Sequence, residues 1–263
     1  MSEAFLHSVA EYASLIVDCL AMARAREVVE VTQAPGGIAR QIVPYLEQYD
    51  GRLTVIDPAP DAEFLHWQML QPQVISVAAH SLDAVGLQND VDAWILDGDH
   101  NYHTVSNELR MVSSLADRDG RPVLAFVHDV GWPWGRRDFY GQPDRIPSHA
   151  RHAAGRHLPA VPDELCLWGG DQAAYAVQEG GPRNGVLSAV EDFLRDSREM
   201  DLSLAYAHVP AIFGLGVIYD KAAPYAAALA QRLAPWDRNP LLARMEDNRL
   251  RQIGADPRWS DVA

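Results

Sequence analysis

The stretch EVVEVTQAPGGIARQIVPYLEQYDGRLTVID, residues 27 to 57, decides the fold. Glu27 to Thr32 is a short run rich in β-branched valine, which suits a pleated, half-buried strand. The Gly36-Gly37 pair then opens a helical segment that ends near Tyr49, and Asp50-Gly51-Arg52 makes a turn. A second strand, Leu53 to Asp57, stops at an acidic residue followed by Pro-Ala-Pro. Strand, helix, strand in this order calls for a crossover and parallel pairing.

The alternation continues downstream. Ala62 to Leu70 reads as a helix, Val74 to Ala79 and Val91 to Asp97 as strands, Tyr102 to Leu115 as a helix, and Pro122 to Asp129 as a fifth strand. Strands apolar enough to be covered on both faces predict an α/β fold with a doubly wound, mostly parallel sheet. Ligands of such sheets sit beyond the carboxyl ends of the strands, where the strand order reverses. The polar residues of this half gather at those ends: Thr32 and Gln33, Asp57, His80 and Ser81, Asp97 to His100, His128 and Asp129.

Upstream, Leu6, Val9, Ala13, Ile16, Val17 and Leu20 recur at helical spacing, predicting an amphipathic helix over 1–25 packed on the domain. Glu3, Glu11 and Asp18 interrupt the apolar run, and no basic region precedes it, which argues against a secretory leader. Residues 131–185, rich in Gly, Pro, Arg, His and Trp, read as an insertion serving as a lid or substrate-binding loop. Val186 to Ser197 is helical, and LSLAYAHV and AIFGLGVIYD suit an antiparallel hairpin. A helical extension over 222–263, broken at Pro235 to Pro240, ends the sequence. With 263 residues, one domain over 1–263 is expected.

A net charge of -14 disfavours nucleic acid as a partner. No segment is apolar and long enough for a bilayer. A small-molecule substrate fits better. Two isolated cysteines, Cys19 and Cys166, suit a reducing, cytoplasmic setting. The apolar amino-terminal helix and the long carboxy-terminal one are faces on which a homo-oligomer could form.

Three constellations carry chemistry. In EVTQAPGGIA, glycines after the first strand let the backbone approach a ligand at a helix start, or simply make a tight turn. Asp57 at the next strand end either accepts ribose hydroxyls or caps an Asp-Pro turn. In LDGDHNYHTV, His100 near Asp99 is a candidate general base with an ordinary pKa near 6.5. Alternatively, Asp99 or Asn101 caps the following helix with His100 exposed, or His100 and His103 share a metal. In FVHDVGWPWGRRD, His128 and Asp129 converge with Asp97 as ligands for Mg²⁺ or another divalent cation. Trp132 and Trp134 are substrate walls or loop core. Arg136 and Arg137 attract an anionic substrate, or pair with Asp138 and Asp144.

Together the strand order, Asp57, LDGDHNYHTVSNEL, VHDVGWPWGRRDFYGQPDRIP and GGPRNGVLSAVEDF resemble the bacterial class I S-adenosylmethionine-dependent methyltransferases of natural-product and sugar-modifying gene sets. The resemblance runs from about Glu27 to Arg249. It implies a Rossmann-like seven-stranded sheet with an antiparallel carboxy-terminal hairpin. It also implies S-adenosylmethionine held by Glu30, Thr32, Gly36, Gly37, Asp57, His80, Ser81 and Asp97. By the same resemblance Asp97, His128 and Asp129 hold a divalent metal, and His100, three residues beyond the first ligand, is the base, with Asp99 beside it. Two features depart from the family pattern: Thr32 and Ala34 replace the first two motif glycines, with Pro35 stiffening the loop, and His128 replaces a carboxylate. The activity implied is O-methylation of a small-molecule hydroxyl. The departures leave two other readings open: the same fold serving a cyclase, lyase or isomerase, or a non-catalytic partner subunit.

Overall fold

The computed structural model describes residues 7–33, 36–156 and 173–255; Ala34, Pro35 and Cys166 lie outside them. A seven-stranded sheet forms the centre. Its strands are β1 (Glu27–Thr32), β2 (Arg52–Ile56), β3 (Val74–Val77), β4 (Ala93–Asp97) and β5 (Leu124–His128), then β9 (Leu204–Val209) and β10 (Leu215–Asp220), in the order β3-β2-β1-β4-β5-β10-β9. β1 to β5 pair in parallel, whereas β10 runs antiparallel to both β5 and β9. This is the sheet expected from the sequence, hairpin included.

Its side chains alternate with period two, and each set finds its own helices. Val29, Val31, Trp94, Leu96, Ala125 and Val127 pack beneath α5 (Tyr102–Asp119) and α6 (Val186–Glu199). Val28, Leu53, Val55, Ile95, Leu124 and Phe126 face the other way, toward α1 (Ala13–Ala23), α2 (Gly37–Gln48) and α7 (Ala226–Leu233). The Tyr45 hydroxyl on α2 donates to the carbonyls of Leu20 and Ala25, fixing the turn that leads into β1.

Local signals set the helix ends. Asp61 caps α3 (Ala62–Gln68) by accepting from Phe64 N. Asn101 caps α5 by accepting from Thr104 N, and Gly120, left-handed at φ 63°, closes it. The helix therefore runs to Asp119, one turn past the apolar pattern that suggested Leu115. His80 precedes the short α4 (Ser81–Ala84), and α8 (Pro240–Ala255) follows the expected break. Among the described residues no helix is long and apolar enough to cross a membrane.

The insertion holds more order than its composition suggests. β6 (Phe139–Tyr140), β7 (Ala154–Gly155) and β8 (Ala174–Ala176) form an antiparallel sheet in the order β6-β8-β7. Strands of two or three residues are too short to show periodicity in sequence. Asp138, fully buried, anchors this sheet: it accepts from Tyr102 N, Gly185 N and the Tyr140 hydroxyl, joining the start of α5 to the start of α6.

Candidate active site

β1 and β4 are neighbours, yet the chain leaves β1 toward β2 and returns to β4 from β3, so their carboxyl ends open a crevice. Thr32 and Asp97 face each other across it. There a cavity of about 330 Å³ is lined by Glu30, Thr32, Asp97, His100, Asp129 and Trp134, with His7, Ser8 and Val9 across its rim.

Asp129 is left-handed, at φ 59°, which turns its carboxylate off the line of β5 into this cavity. Its Oδ2 stands 3.1 Å from His100 Nδ1. Asp97, His100 and Asp129 bring one ligand atom each within 4.8 Å of one another. Burial favours the neutral form of Asp129, but His100 and His128 outweigh it and hold its carboxyl below the usual range.

His128 lies beside this cluster with both nitrogens used. Nδ1 is 2.9 Å from Asp97 Oδ1, and Nε2 is 3.0 Å from the carbonyl oxygen of Ile212. A carbonyl only accepts and a carboxylate accepts, so both nitrogens donate and the ring is an imidazolium. Burial opposes that charge, and Asp129 and Asp97 overcome it, raising the His128 pKa well above its ordinary value. The turn supplying the carbonyl is held from behind: Glu246 of α8 accepts from Phe213 N at 3.0 Å, and the Tyr12 hydroxyl donates to Ala211 O.

A second cavity, about 130 Å³, adjoins the first and is lined by Asp57, His80, Asp99 and Arg145. Gln33 lines both, and its Nε2 donates at 2.7 Å to Oδ1 of Asp99, which lines the second. Asp57 accepts from Ala59 N at 2.8 Å, as an Asp-Pro turn requires, while its Oδ2 keeps no partner. At the start of α2, Gly36 is left-handed at φ 103°, and a Cβ on Gly37 would touch Ser8 Oγ at 3.4 Å.

Several expected site residues stand elsewhere. Asp99 bonds to Gln33 and, through Oδ2, to the Thr104 hydroxyl at 3.2 Å, so the carboxylate beside His100 is Asp129. His128 lines the first cavity but stands outside the three-residue cluster, with both its nitrogens committed. Ser81 is buried and bonds to Glu108 instead of lining either cavity. His103 lines a separate cleft and shares no site with His100.

Trp134 is a fully buried wall, 4.9 Å from the Phe139 ring, whereas Trp132 packs on the core beneath α5 and α6. Arg136 pairs with Glu191 at 2.7 Å and Arg137 donates to the carbonyls of Ala176 and Val177 and to Glu179. Neither arginine lines either cavity, and their partners differ from the Asp138 and Asp144 that the sequence suggested. Sequence reasoning missed His7, Ser8, Gln33 as a site residue and the Ile212 carbonyl; only the position of Gln33 at the end of β1 could have signalled one of them.

The polar atoms left over describe what the crevice suits. Among the described residues, Glu30 Oε2, Asp57 Oδ2 and Asp129 Oδ1 are buried without a hydrogen-bond partner. Glu30 is pushed up to about 8 by burial, with Asp97 and Asp57 adding repulsion. A cationic ligand with hydroxyls to donate would relieve all three, a description that fits S-adenosylmethionine. The Asp97 and Asp129 carboxylates, with the His100 imidazole beside them, fit a divalent ion of the Mg²⁺ or Mn²⁺ type held by oxygen ligands.

No known protein family matches the chain in sequence, and no curated protein matches it. In structure it is similar to an O-methyltransferase from Bacillus cereus solved with SAH, at TM-score 0.49 and 10% identity over 81% of this chain and 82% of that one. It is also similar to the O-methyltransferase TomG from Streptomyces achromogenes, involved in tomaymycin synthesis and solved with SAM, at TM-score 0.48 and 14% identity over 82% of each chain. A third is an SAH-bound methyltransferase from Podospora anserina, at TM-score 0.48 and 10% identity over 80% of this chain and 77% of that one.

Proposed function

We propose that the chain is an S-adenosylmethionine-dependent methyltransferase that methylates a hydroxyl of a small molecule, with His100 as base and a divalent cation at Asp97 and Asp129. The observation that carries this reading is the meeting of Asp97, His100 and Asp129 in one cavity at the switch point of the sheet, with a carboxylate oxygen left unpartnered. His100 Nδ1 faces the Asp129 carboxylate at 3.1 Å, so Nδ1 keeps its proton and Nε2 carries the lone pair. His100 Nε2 would then take the proton from the acceptor's hydroxyl as that oxygen is methylated. When bound, the cofactor would supply an electrophilic methyl on a sulfonium, and a divalent ion held by Asp97 and Asp129 would supply Lewis acidity. Asp57 and His80 would hold the nucleoside end, Glu30, Thr32, Gly36 and Gly37 the remainder. Trp134 with Phe139 keeps water from the reacting face.

Titration calorimetry with S-adenosylmethionine tests the reading; a folded protein giving no heat at millimolar cofactor ends it. His100→Ala should lower turnover by roughly two to four orders of magnitude with cofactor affinity unchanged. Asp129→Asn should abolish Mn²⁺ binding while His100→Ala retains it, which separates a base from a ligand.

The Gln33–Asp99 bond, which ties a residue lining both hollows to one lining the Asp57 cavity, favours a second reading in which the two hollows are used separately. On that reading the same acid–base cluster serves a cyclase, lyase or isomerase without methyl transfer. Product mass decides: methylation adds one CH₂ and isomerisation adds nothing.

A further inference from the structure

The first turns of α5 and two segments of the insertion enclose a cleft of about 290 Å³, separate in its lining from the acidic crevice. It collects Arg110, Arg151, Arg183, His103, His149 and His152. In a chain with 22 Lys and Arg against 36 Asp and Glu, three arginines gathered with three histidines around one hollow run against the overall charge.

Their ion pairing is unlike that of nearby arginines. Arg136, Arg145 and Arg195 hold carboxylates at 2.7, 2.7 and 2.6 Å. In the cleft, Arg110 stands 4.0 Å from Asp196, and Arg151 stands 3.9 Å from a fully exposed Asp144. Among the described residues Arg183 makes no ion pair. Contacts so long and so wet contribute almost nothing, so three guanidinium groups retain capacity for an anion.

The walls are tied together independently of any ligand. His152 Nε2 donates to Arg183 O at 2.8 Å, and His152 N donates to the Tyr140 hydroxyl at 2.8 Å, fixing the 148–152 segment to the 182–183 turn. Arg183 is left-handed at φ 55°, a conformation ordinarily left to Gly or Asn. The imidazoles are spread along the cleft rather than converging as metal ligands, since the one such cluster among the described residues is Asp97, His100 and Asp129. His103 is held below its ordinary pKa by burial first and by His149 and Arg110, with Asp138 opposing them.

We infer that this cleft is a binding site for a phosphate or diphosphate group, gripped by Arg110, Arg151 and Arg183 with imidazole donors from His103 and His149. Guanidinium forks match phosphoryl oxygens in geometry and charge. The volume exceeds one phosphate, which suits a diphosphate or a phosphate with part of its ester. The inference is independent of the methyl-transfer reading, because the cleft shares no lining residue with the crevice.

Calorimetric titration of the full chain with inorganic phosphate, pyrophosphate and ADP tests it at low and moderate salt. Pyrophosphate is expected to bind in the micromolar to low millimolar range and weaken as salt rises. Arg151→Gln and Arg183→Gln, both on the surface of the cleft, are each expected to weaken it by about 10-fold or more, as for a lost charge-assisted hydrogen bond. Arg118→Gln, which removes the same charge from a distant surface, should leave it unchanged. ADP binding tighter than pyrophosphate identifies an ester as the occupant, and the reverse identifies the free anion; either supports the site. Absence of pyrophosphate binding at 10-fold above the low-millimolar range, or equal weakening in Arg118→Gln, overturns it.

Discussion

His128 Nδ1 lies 2.9 Å from Asp97 Oδ1 while its Nε2 donates to the Ile212 carbonyl, so one buried imidazolium ties β4 to the turn between β9 and β10. This places a fixed positive charge where a second carboxylate would raise the anionic count of the crevice. It leaves Asp97 and Asp129 as the two anions facing the cavity. Truncating it would leave Asp97 without its closest cation and Ile212 O without its donor.

We therefore expect His128→Leu to lower stability by about 3–5 kcal/mol, the usual cost of breaking a buried ion pair from one side. Thermal and urea unfolding measure it. A loss below about 1 kcal/mol would mean that the ring is not charged in the folded protein.

The pH dependence of stability follows from the buried acids. Glu108 on α5 is pushed up to about 8 by burial, with the Ser81 hydroxyl bond pulling the other way and Asp99 adding repulsion. Its unfolded value is near 4.5. Between these values the folded chain holds a proton that the unfolded chain releases, so this contribution is complete below about pH 4.5 and is lost as pH rises through about 8. Glu30, also pushed up to about 8, acts in the same direction. Urea midpoints of Glu108→Gln should fall less between pH 5 and 8 than those of the parent; parallel curves would contradict the assignment.

The sheet was legible because its strands are long enough to show apolar runs and its polar residues collect at their ends. The site was legible as a neighbourhood rather than as partnerships. Asp99 and His100 are adjacent in sequence, yet the turn after Gly98 sends one toward Gln33 and the other toward Asp129. Arg136 found Glu191, 55 residues away, and the His128 acceptor is a backbone carbonyl, which residue type does not reveal. Such choices are made by tertiary packing, so neighbouring residues in sequence carry no signal of them.

Arg137 distinguishes a structural arginine from a substrate arginine. It is nearly fully buried, and its guanidinium satisfies the carbonyls of Ala176 and Val177 at the end of β8. Arg137→Ala should lower stability by about 1–3 kcal/mol through the carbonyls it strands, with KM for the acceptor changed less than twofold at temperatures where the variant is folded. A tenfold rise in KM with unchanged Tm would return Arg137 to the substrate.

Gln33 offers the sharpest test of how the crevice is used. Its side chain lines cavities of about 330 and 130 Å³ and holds Asp99 of the smaller one. On the proposed function, a cofactor spanning Asp57 to Asp129 would displace that exposed bond, giving up roughly 1 kcal/mol, the usual net worth of an intramolecular hydrogen bond. Gln33→Ala removes the cost in advance, so S-adenosylhomocysteine should bind up to about 10-fold tighter by calorimetry. Asp57→Ala, which deletes the unpartnered Oδ2, should weaken it by a similar or larger factor. If Gln33→Ala weakens binding instead, the amide is a contact rather than a barrier, and the ligand does not cross between the two cavities at its expense.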